Sequence, residues 1–338
     1  TVDMENAAGF IGATCGWQYS AQLEGPLTYP NQTNISLYNP QRGNPTATWE
    51  DWAAQITQAG LDFICPNLTG SWPNTGSPPA DMAPLVTALN NLGNVTKFAI
   101  FDDNAASWCA QWNMAEGRGF WYAEPFDISD PANWVFIYDY NYKLFYETVP
   151  DAQRFKIDGR PVIWIWTGNP YFVANSQGNL SRAMLWVRQR CMEDFGFNPY
   201  IVGNRDFISN DSTCANPGVL DATHSWFGPP NDPWTLSVFN GVKIGVAVAQ
   251  FQNSSNPPGF LDPDHGNLLN EGLHHTVGAG ALMTLLEGFT DYEEDAALFR
   301  VRNLDENGNP LSYEQTYYDY PNQRLNIIRK HSRHPFPA

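Results

Sequence analysis

Eight short apolar runs, rich in β-branched and aromatic residues, most constrain what this chain can fold into. They are Phe10–Trp17, Asp62–Pro66, Lys97–Asp102, Val162–Trp166, Tyr200–Gly203, Val219–Trp226, Ile244–Gln250 and Leu282–Glu287. Most are nearly continuous in hydrophobicity rather than alternating. That pattern belongs to strands buried on both faces, as in parallel sheets. Helical patterns lie between most of them: Thr48 to Ala59 with Thr48 as N-cap, Asp81 to Leu92, Pro131 to Thr148, Ser181 to Phe195, Asp232 to Asn240, Asn267 to Val277, and Tyr313 to His331. The first, second and fourth end at a glycine, as helix C-termini commonly do. Only Asp206 to Gly218 lacks a clear helix. Eight strands alternating with seven or eight helices is the count of a closed (β/α)₈ TIM barrel, and a single α/β domain over 1–338 is expected. An open doubly wound sheet is the alternative. It is weakened because no strand is followed by a Gly-rich phosphate turn.

Composition narrows the function. The chain has 338 residues, with 35 acidic and 18 basic side chains and a formal charge of −17. Such a surface repels phosphate backbones, so nucleic acid is excluded as a general partner. No apolar run is long enough to span a membrane, so none is expected as a partner. The 13 Trp, 15 Tyr and 20 Phe exclude disorder, and 26 scattered Pro exclude coiled coil and collagen.

The chain starts at Thr1 without a leader, as removal of a signal peptide would leave it. Seven Asn-X-Ser/Thr acceptors occur, at Asn31, Asn34, Asn67, Asn94, Asn179, Asn210 and Asn253. Together with the scarcity of Lys they point to a secreted, extracellular glycoprotein. Five cysteines leave at least one unpaired. Cys191–Cys214 is the favoured disulfide and Cys65–Cys109 a second candidate, while Cys15 is expected as a buried thiol.

In a barrel the informative polar residues stand at the carboxyl ends of the strands. Here they are aromatics, amides and carboxylates, almost without Lys or Arg: Trp17, Gln18, Asn67, Asp102, Asp103, Asn104, Trp166, Asn169, Asn204, Asp206, His224, Trp226, Gln250, Glu287, Asp291, Glu293 and Glu294. Trp faces stack on the C–H faces of sugars, while amides and carboxylates bind hydroxyls. Phosphorylated substrates would need Arg, Lys or a Gly-rich nest.

Asp102 and Asp103 end an apolar strand. Strand alternation turns one toward the barrel axis and the other away; at least one is expected to be a catalytic carboxylate, with capping of the following loop as the alternative for the pair. Glu287 follows the apolar run Ala281–Leu286, where a carboxylate is costly unless paired or used. Trp17, Asn67, Trp166, His224, Trp226, Gln250 and Asp291 are the candidate substrate-binding residues. Trp226 has ordinary core packing as its alternative, and His224 a structural role. Asp221, deeper in its strand, could orient a neighbour. Asp262-Pro263-Asp264-His265 packs two carboxylates and a His into a turn that could bind calcium, although EF-hand spacing is absent and a tight turn is the default. No metal or cofactor is expected. HExxH, GxSxG and Walker motifs are absent, which removes zincin, α/β-hydrolase and P-loop readings.

Trp49–Gly60 running into Leu61-Asp62-Phe63-Ile64 resembles the opening of polysaccharide-degrading barrels of glycoside hydrolase families 71 and 99: a helix, Ala-Gly, then Asp-x-Phe. Leu285-Leu286-Glu287-Gly288-Phe289-Thr290-Asp291, with Glu294, resembles the late acidic loop of those barrels. From about Phe10 to Arg300 the chain is similar to a secreted, poorly characterised group of such barrels in fungi and bacteria, known as a domain of unknown function. Glu287 and Asp291 are four apart, which departs from the Glu-x-x-Glu pair of family 99. The resemblance therefore implies the location of a site rather than its mechanism. The leading expectation is a monomeric secreted glycoside hydrolase that cleaves a polysaccharide or oligosaccharide. Its catalytic carboxylates would be Asp102 or Asp103, with Glu287. A non-catalytic carbohydrate-binding barrel is the rival, and a metal-dependent enzyme using the Asp262–His265 turn a third possibility.

Overall fold

The computed structural model describes residues 9–15, 45–68, 82–119, 123–228, 231–252, 259–291, 294, 296–301, 304–305 and 307–334. Nine strands form one nearly closed barrel. In chain order they are β1 (Phe10–Cys15), β2 (Phe63–Leu68), β3 (Ile100–Asp102), β4 (Arg160–Ile165), β5 (Tyr200–Asn204), β6 (Ala222–His224), β7 (Trp234–Phe239), β8 (Val242–Ala247) and β9 (Met283–Leu286). The order around the barrel is β6-β5-β4-β3-β2-β1-β9-β8-β7. Neighbours from β6 through to β8 pair in parallel. These eight parallel strands fall on the eight apolar runs.

The ninth strand is antiparallel. β7 pairs with β8, with Trp234 opposite Ala247 and Phe239 opposite Val242. Its other side reaches the end of β6: Thr235 Oγ1 donates to the Ser225 carbonyl, and Ser237 Oγ donates to Ser225 Oγ at 3.2 Å. This corrects the expected helix over Asp232 to Asn240. Trp-Thr-Leu-Ser-Val-Phe is dominated by strand formers, and Asn240-Gly241 follows it with both residues at positive φ (50° and 79°). Asn-Gly in that conformation closes a two-residue hairpin.

Near-continuous hydrophobicity has the expected cause. In β4, Val162 and Trp164 pack inside the barrel, while Ile163 and Ile165 pack against the outer layer. Phe101 of β3 and Leu285 of β9 face inward; Ile100 and Leu286 face outward. Helices supply the outer layer: α1 (Pro45–Ala59), α2 (Ala83–Asn91), α3 (Ala110–Ala115), α4 (Lys143–Thr148), α5 (Leu180–Phe195), α6 (Asp206–Asn210), α7 (Asn267–Thr276), α8 (Tyr313–Thr316) and α9 (Gln323–His331). In α1, Trp49, Trp52, Ala53, Ile56 and Ala59 form one buried stripe at helical spacing. Because α1 begins at Pro45, Thr48 lies inside it, buried, and is not its cap.

The expected helix Pro131 to Thr148 is three pieces of different pitch: a 3₁₀ turn at Pro131–Phe136, a π turn at Tyr138–Tyr142, and α4. The C-terminal helix divides into α8 and α9, because Tyr317 takes a left-handed φ of 55° and Pro321 follows. The Asp206 to Gly218 link holds α6 and a 3₁₀ turn at Ser212–Ala215.

All five cysteines are buried thiols outside any disulfide, which corrects the Cys191–Cys214 and Cys65–Cys109 pairings. Cys65 packs inside the barrel and Cys109 in the outer layer, with the sheet between them. Cys191 faces Tyr138, Arg188 and Asp194, whereas Cys214 lies against Asp211. All four described acceptors have engaged amides: Asn94 Nδ2 donates to Ala152 O (3.2 Å), Asn179 Nδ2 to Asn175 O (2.8 Å) and Asn210 Nδ2 to Gly168 O (2.8 Å), and the Asn67 side chain donates to Asp103. Asn31, Asn34 and Asn253 lie outside the described residues. No helix among the described residues is long and apolar enough to cross a membrane.

Candidate active site

Strand alternation decides which polar groups reach the carboxyl end of the barrel. Phe101 points inward, so Asp102 points outward and Asp103 inward again. The structure separates the two accordingly. Asp102 is fully buried; Trp108 Nε1 donates to its Oδ2 at 2.7 Å, and the hydroxyls of Ser107 and Tyr142 also donate to the carboxylate. Burial pushes its pKa up to about 7, with those three donors pulling the other way. Asp103 is half-buried. Burial raises its pKa, while the amides of Ala106 and Ala105 and the side chain of Asn67 donate to it and oppose that rise.

Glu287, one residue past β9, has the inward parity of Met283 and Leu285. Thr14 of β1 meets it across the strand pair: Thr14 Oγ1 donates to Glu287 Oε2 at 3.2 Å. The same hydroxyl accepts from Gly288 N at 2.7 Å, and Phe289 N donates to the Thr14 carbonyl at 2.7 Å. Gly288 then turns the chain at φ +71°. A Cβ there would lie 2.8 Å from Asp291 Cβ and 2.9 Å from Ala296 Cβ. Only glycine fits so tight a turn.

The turn folds the acidic loop back. Glu294 N donates to Asp291 Oδ1 at 3.0 Å, and carboxylate oxygens of Glu287, Asp291 and Glu294 lie within 4.8 Å of one another. Burial, then Asp291 and Glu294, hold the Glu287 pKa well above the ordinary range; Asp103 adds to the rise and Thr14 opposes it. Asp103 and Glu287 are thus electrostatically coupled at one end of the barrel, and Asp102 belongs to the other face of the sheet.

The remaining candidates divide. Trp166 and Trp226 are half-buried at the barrel mouth and pack against the inner cluster. The Trp226 ring lies 5.4 Å from Phe101 and 5.9 Å from His224. Asn204 Nδ2 donates to the Trp166 carbonyl at 2.7 Å. His224 is fully buried, its Nε2 2.8 Å from the Ile165 carbonyl, and burial lowers its pKa to about 4. It is a neutral ring donating to backbone rather than a proton partner at the mouth. Gln250 is also fully buried, its Oε1 accepting from Arg324 of α9. Asp221 does orient neighbours: it accepts from Arg160 and Arg188, with contacts of 2.7 Å each. Trp17, Gln18 and Glu293 lie outside the described residues.

The Asp262–His265 turn spends its groups locally. Asp262 Oδ1 accepts from Asp264 N (2.8 Å), and His265 Nδ1 lies 2.7 Å from Asp319 Oδ1. Among the described residues, the acids spaced closely enough to share a cation are Glu287, Asp291 and Glu294 instead. Sequence reasoning missed Thr14 and Gly288. Their only signals were a hydroxyl inside an apolar run and a glycine directly after the strand-end Glu.

The family described as "Domain of unknown function (DUF5010)" matches residues 7–338. The chain belongs to that family. No curated protein matches this DUF5010 chain in sequence. Among solved structures, a "Glycoside hydrolase-like protein" is similar with a TM-score of 0.63 at 16% identity, covering 96% of this chain and 94% of the other. The glycoside hydrolase family 99 endo-α-mannosidase from Bacteroides thetaiotaomicron is similar with a TM-score of 0.57 at 11% identity, covering 98% of each chain. Its complex with Bis-Tris-propane gives 0.55 at 12%, covering 96% and 95%. This DUF5010 chain therefore shares its fold with glycoside hydrolases, as its sequence resemblance implied.

Proposed function

We propose that this protein is a secreted glycoside hydrolase. In this reading residues 1–338 form a single (β/α)₈ catalytic domain, the antiparallel β7 being an addition to the eight-stranded plan. The observation that carries the proposal is the convergence of Asp103 and Glu287 at the carboxyl end of the barrel, where burial raises both pKa values, amide donors restrain the rise at Asp103, and Asp291 and Glu294 add to it at Glu287. Glycosidic bond cleavage needs one carboxylic acid to protonate the leaving oxygen and one carboxylate to act as base or nucleophile. Glu287, half-buried and crowded by Asp291 and Glu294, holds its proton more tightly than an ordinary glutamate and serves as the acid. Asp103, held by the amides of Ala105 and Ala106 and by Asn67, is the better-stabilised anion and serves as base or nucleophile.

Trp166 and Trp226 supply the aromatic faces for sugar rings, Asn67 and Asp291 bind hydroxyls, and the substrate is a polysaccharide or glycan. The half-exposed tryptophans alone would also suit a carbohydrate-binding protein without catalysis. The two readings part on turnover. The purified protein is incubated with fungal and plant wall polysaccharides and, because one structural neighbour is an endo-α-mannosidase, with α-mannans; reducing ends are then counted. New reducing ends that disappear in Asp103→Asn support the hydrolase. Glycan binding by Trp226 with no new reducing ends supports the binding protein.

A further inference from the structure

We propose that Asp102 is a positioning residue: from the outer face of β3 it clamps the π turn Ala105–Cys109, and that turn holds Asp103 at the barrel mouth. The role rests on the reading of Asp103 as the base, but the clamp itself is geometric. The two carboxylates sit on consecutive residues and opposite faces, and they grip the same turn. From outside, Asp102 accepts from the Ser107 hydroxyl and from Trp108 Nε1 (2.7 Å), both within the turn, and from Tyr142 of the neighbouring π turn. From inside, Asp103 Oδ1 accepts from Ala106 N at 3.3 Å, and the Asp103 carbonyl accepts from Ser107 N at 2.8 Å.

The strand end is tied in as well. The Asp102 carbonyl accepts from Trp166 N at 2.9 Å, and Asn104 Nδ2 donates to the Thr167 carbonyl. Asp103, the turn and the Trp166 segment are therefore joined around one fully buried carboxylate.

The residue type fits this work. Three donors converge on Asp102, and among the described residues no cation joins them, so the site needs an acceptor with several lone pairs. An apolar residue would fill the space at lower desolvation cost but would orphan all three donors. π turns are uncommon and cluster at functional sites, where they re-aim a side chain. Asp102 is buried away from the mouth, so it touches no substrate; its effect reaches the reaction only through Asp103.

Two variants test the clamp. Asp102→Asn replaces an acceptor oxygen with a donor; Tyr142→Phe removes one clamp donor while leaving both carboxylates in place. Three readouts are taken: deuterium uptake of residues 104–109, the titration midpoint of Asp103 from its carboxyl carbon resonance, and glycan cleavage per folded molecule. The expected result is uptake about ten-fold faster or more in that turn. The Asp103 midpoint rises as amide donors are lost, and turnover falls about ten-fold or more. If Asp102→Asn does not fold, Tyr142→Phe shows the same changes at smaller size. Wild-type uptake and an unmoved Asp103 midpoint in the folded variants, with only a lower melting temperature, would overturn the proposal. If the wild type cleaves no glycan, the hydrolase reading fails, while uptake and titration still decide the clamp.

Discussion

Thr14 and Glu287 stand 273 residues apart in the chain and 3.2 Å apart in space, with the Thr14 hydroxyl donating to the Glu287 carboxyl. Parallel pairing of the first strand, β1, with the last, β9, makes this contact. The hydroxyl opposes the rise in the Glu287 pKa and also satisfies the amide of Gly288. Thr14→Val keeps the β-branched shape and removes both bonds. Loss of a buried hydrogen bond that leaves an amide unsatisfied costs about 1–3 kcal/mol. Chemical denaturation should show that loss, and carboxyl titration should show the Glu287 midpoint moving further up.

Gly288→Ala tests the loop that crowds Glu287. The added Cβ would collide with Asp291 and Ala296, at a φ that alanine disfavours. The loop should shift, taking the Asp291 and Glu294 charges away from Glu287. The Glu287 midpoint is then expected to fall toward the ordinary glutamate range, and deuterium uptake across the loop to rise. An unchanged midpoint would mean that burial alone sets it.

Stability should fall as pH rises through the neutral region. Asp102 and Glu287 both have folded-state pKa values raised above those of the unfolded chain. Such groups bind protons in the fold that the unfolded chain has already released. For Asp102 the contribution is complete below about pH 4 and is lost as pH passes about 7. Denaturation midpoints measured from pH 4 to 8 should decline. Glu287→Gln should flatten part of that decline; a slope unchanged in the variant would contradict the placement of its proton.

Asp221 works in the opposite sense. Arg160 and Arg188 donate to it, and they hold its pKa below the usual carboxylate range despite burial. Its stabilisation is present above the unfolded pKa and fades as pH falls through the folded one. Removing one member of such a part-buried, charge-assisted network costs about 1–3 kcal/mol. Asp221→Asn should destabilise by that order near pH 7, and the deficit should shrink toward pH 3. Equal deficits at both pH values would exclude the ionic contribution.

The parallel part of the barrel was legible because burial on both faces writes itself as unbroken apolar runs. Strand-end position put forward Asp102, Asp103 and Glu287 together, since a carboxylate after such a run needs a polar opening or a partner. Alternation announced that Asp102 and Asp103 would face apart; which one faced inward depended on the register of Phe101, which periodicity does not fix. β7 was misread because the seven residues between Pro233 and Gly241 satisfy either period, and the Asn240-Gly241 turn was the signal that should have decided it. Cysteine pairing was illegible because spacing says nothing about which side of a sheet a thiol occupies. The loop contacts of Asp291 and Glu294 arise from the Gly288 turn, a local backbone event with no period to read.

The most direct test of the catalytic reading is the rate of reducing-end release by Glu287→Gln on a glycan that the wild type cleaves, with circular dichroism confirming an intact fold. Glutamine keeps the size and much of the hydrogen bonding of Glu287 but carries no titratable proton. Loss of general acid catalysis should lower turnover by about two to four orders of magnitude. Turnover within a few fold of wild type would contradict any acid, base or nucleophile role for Glu287.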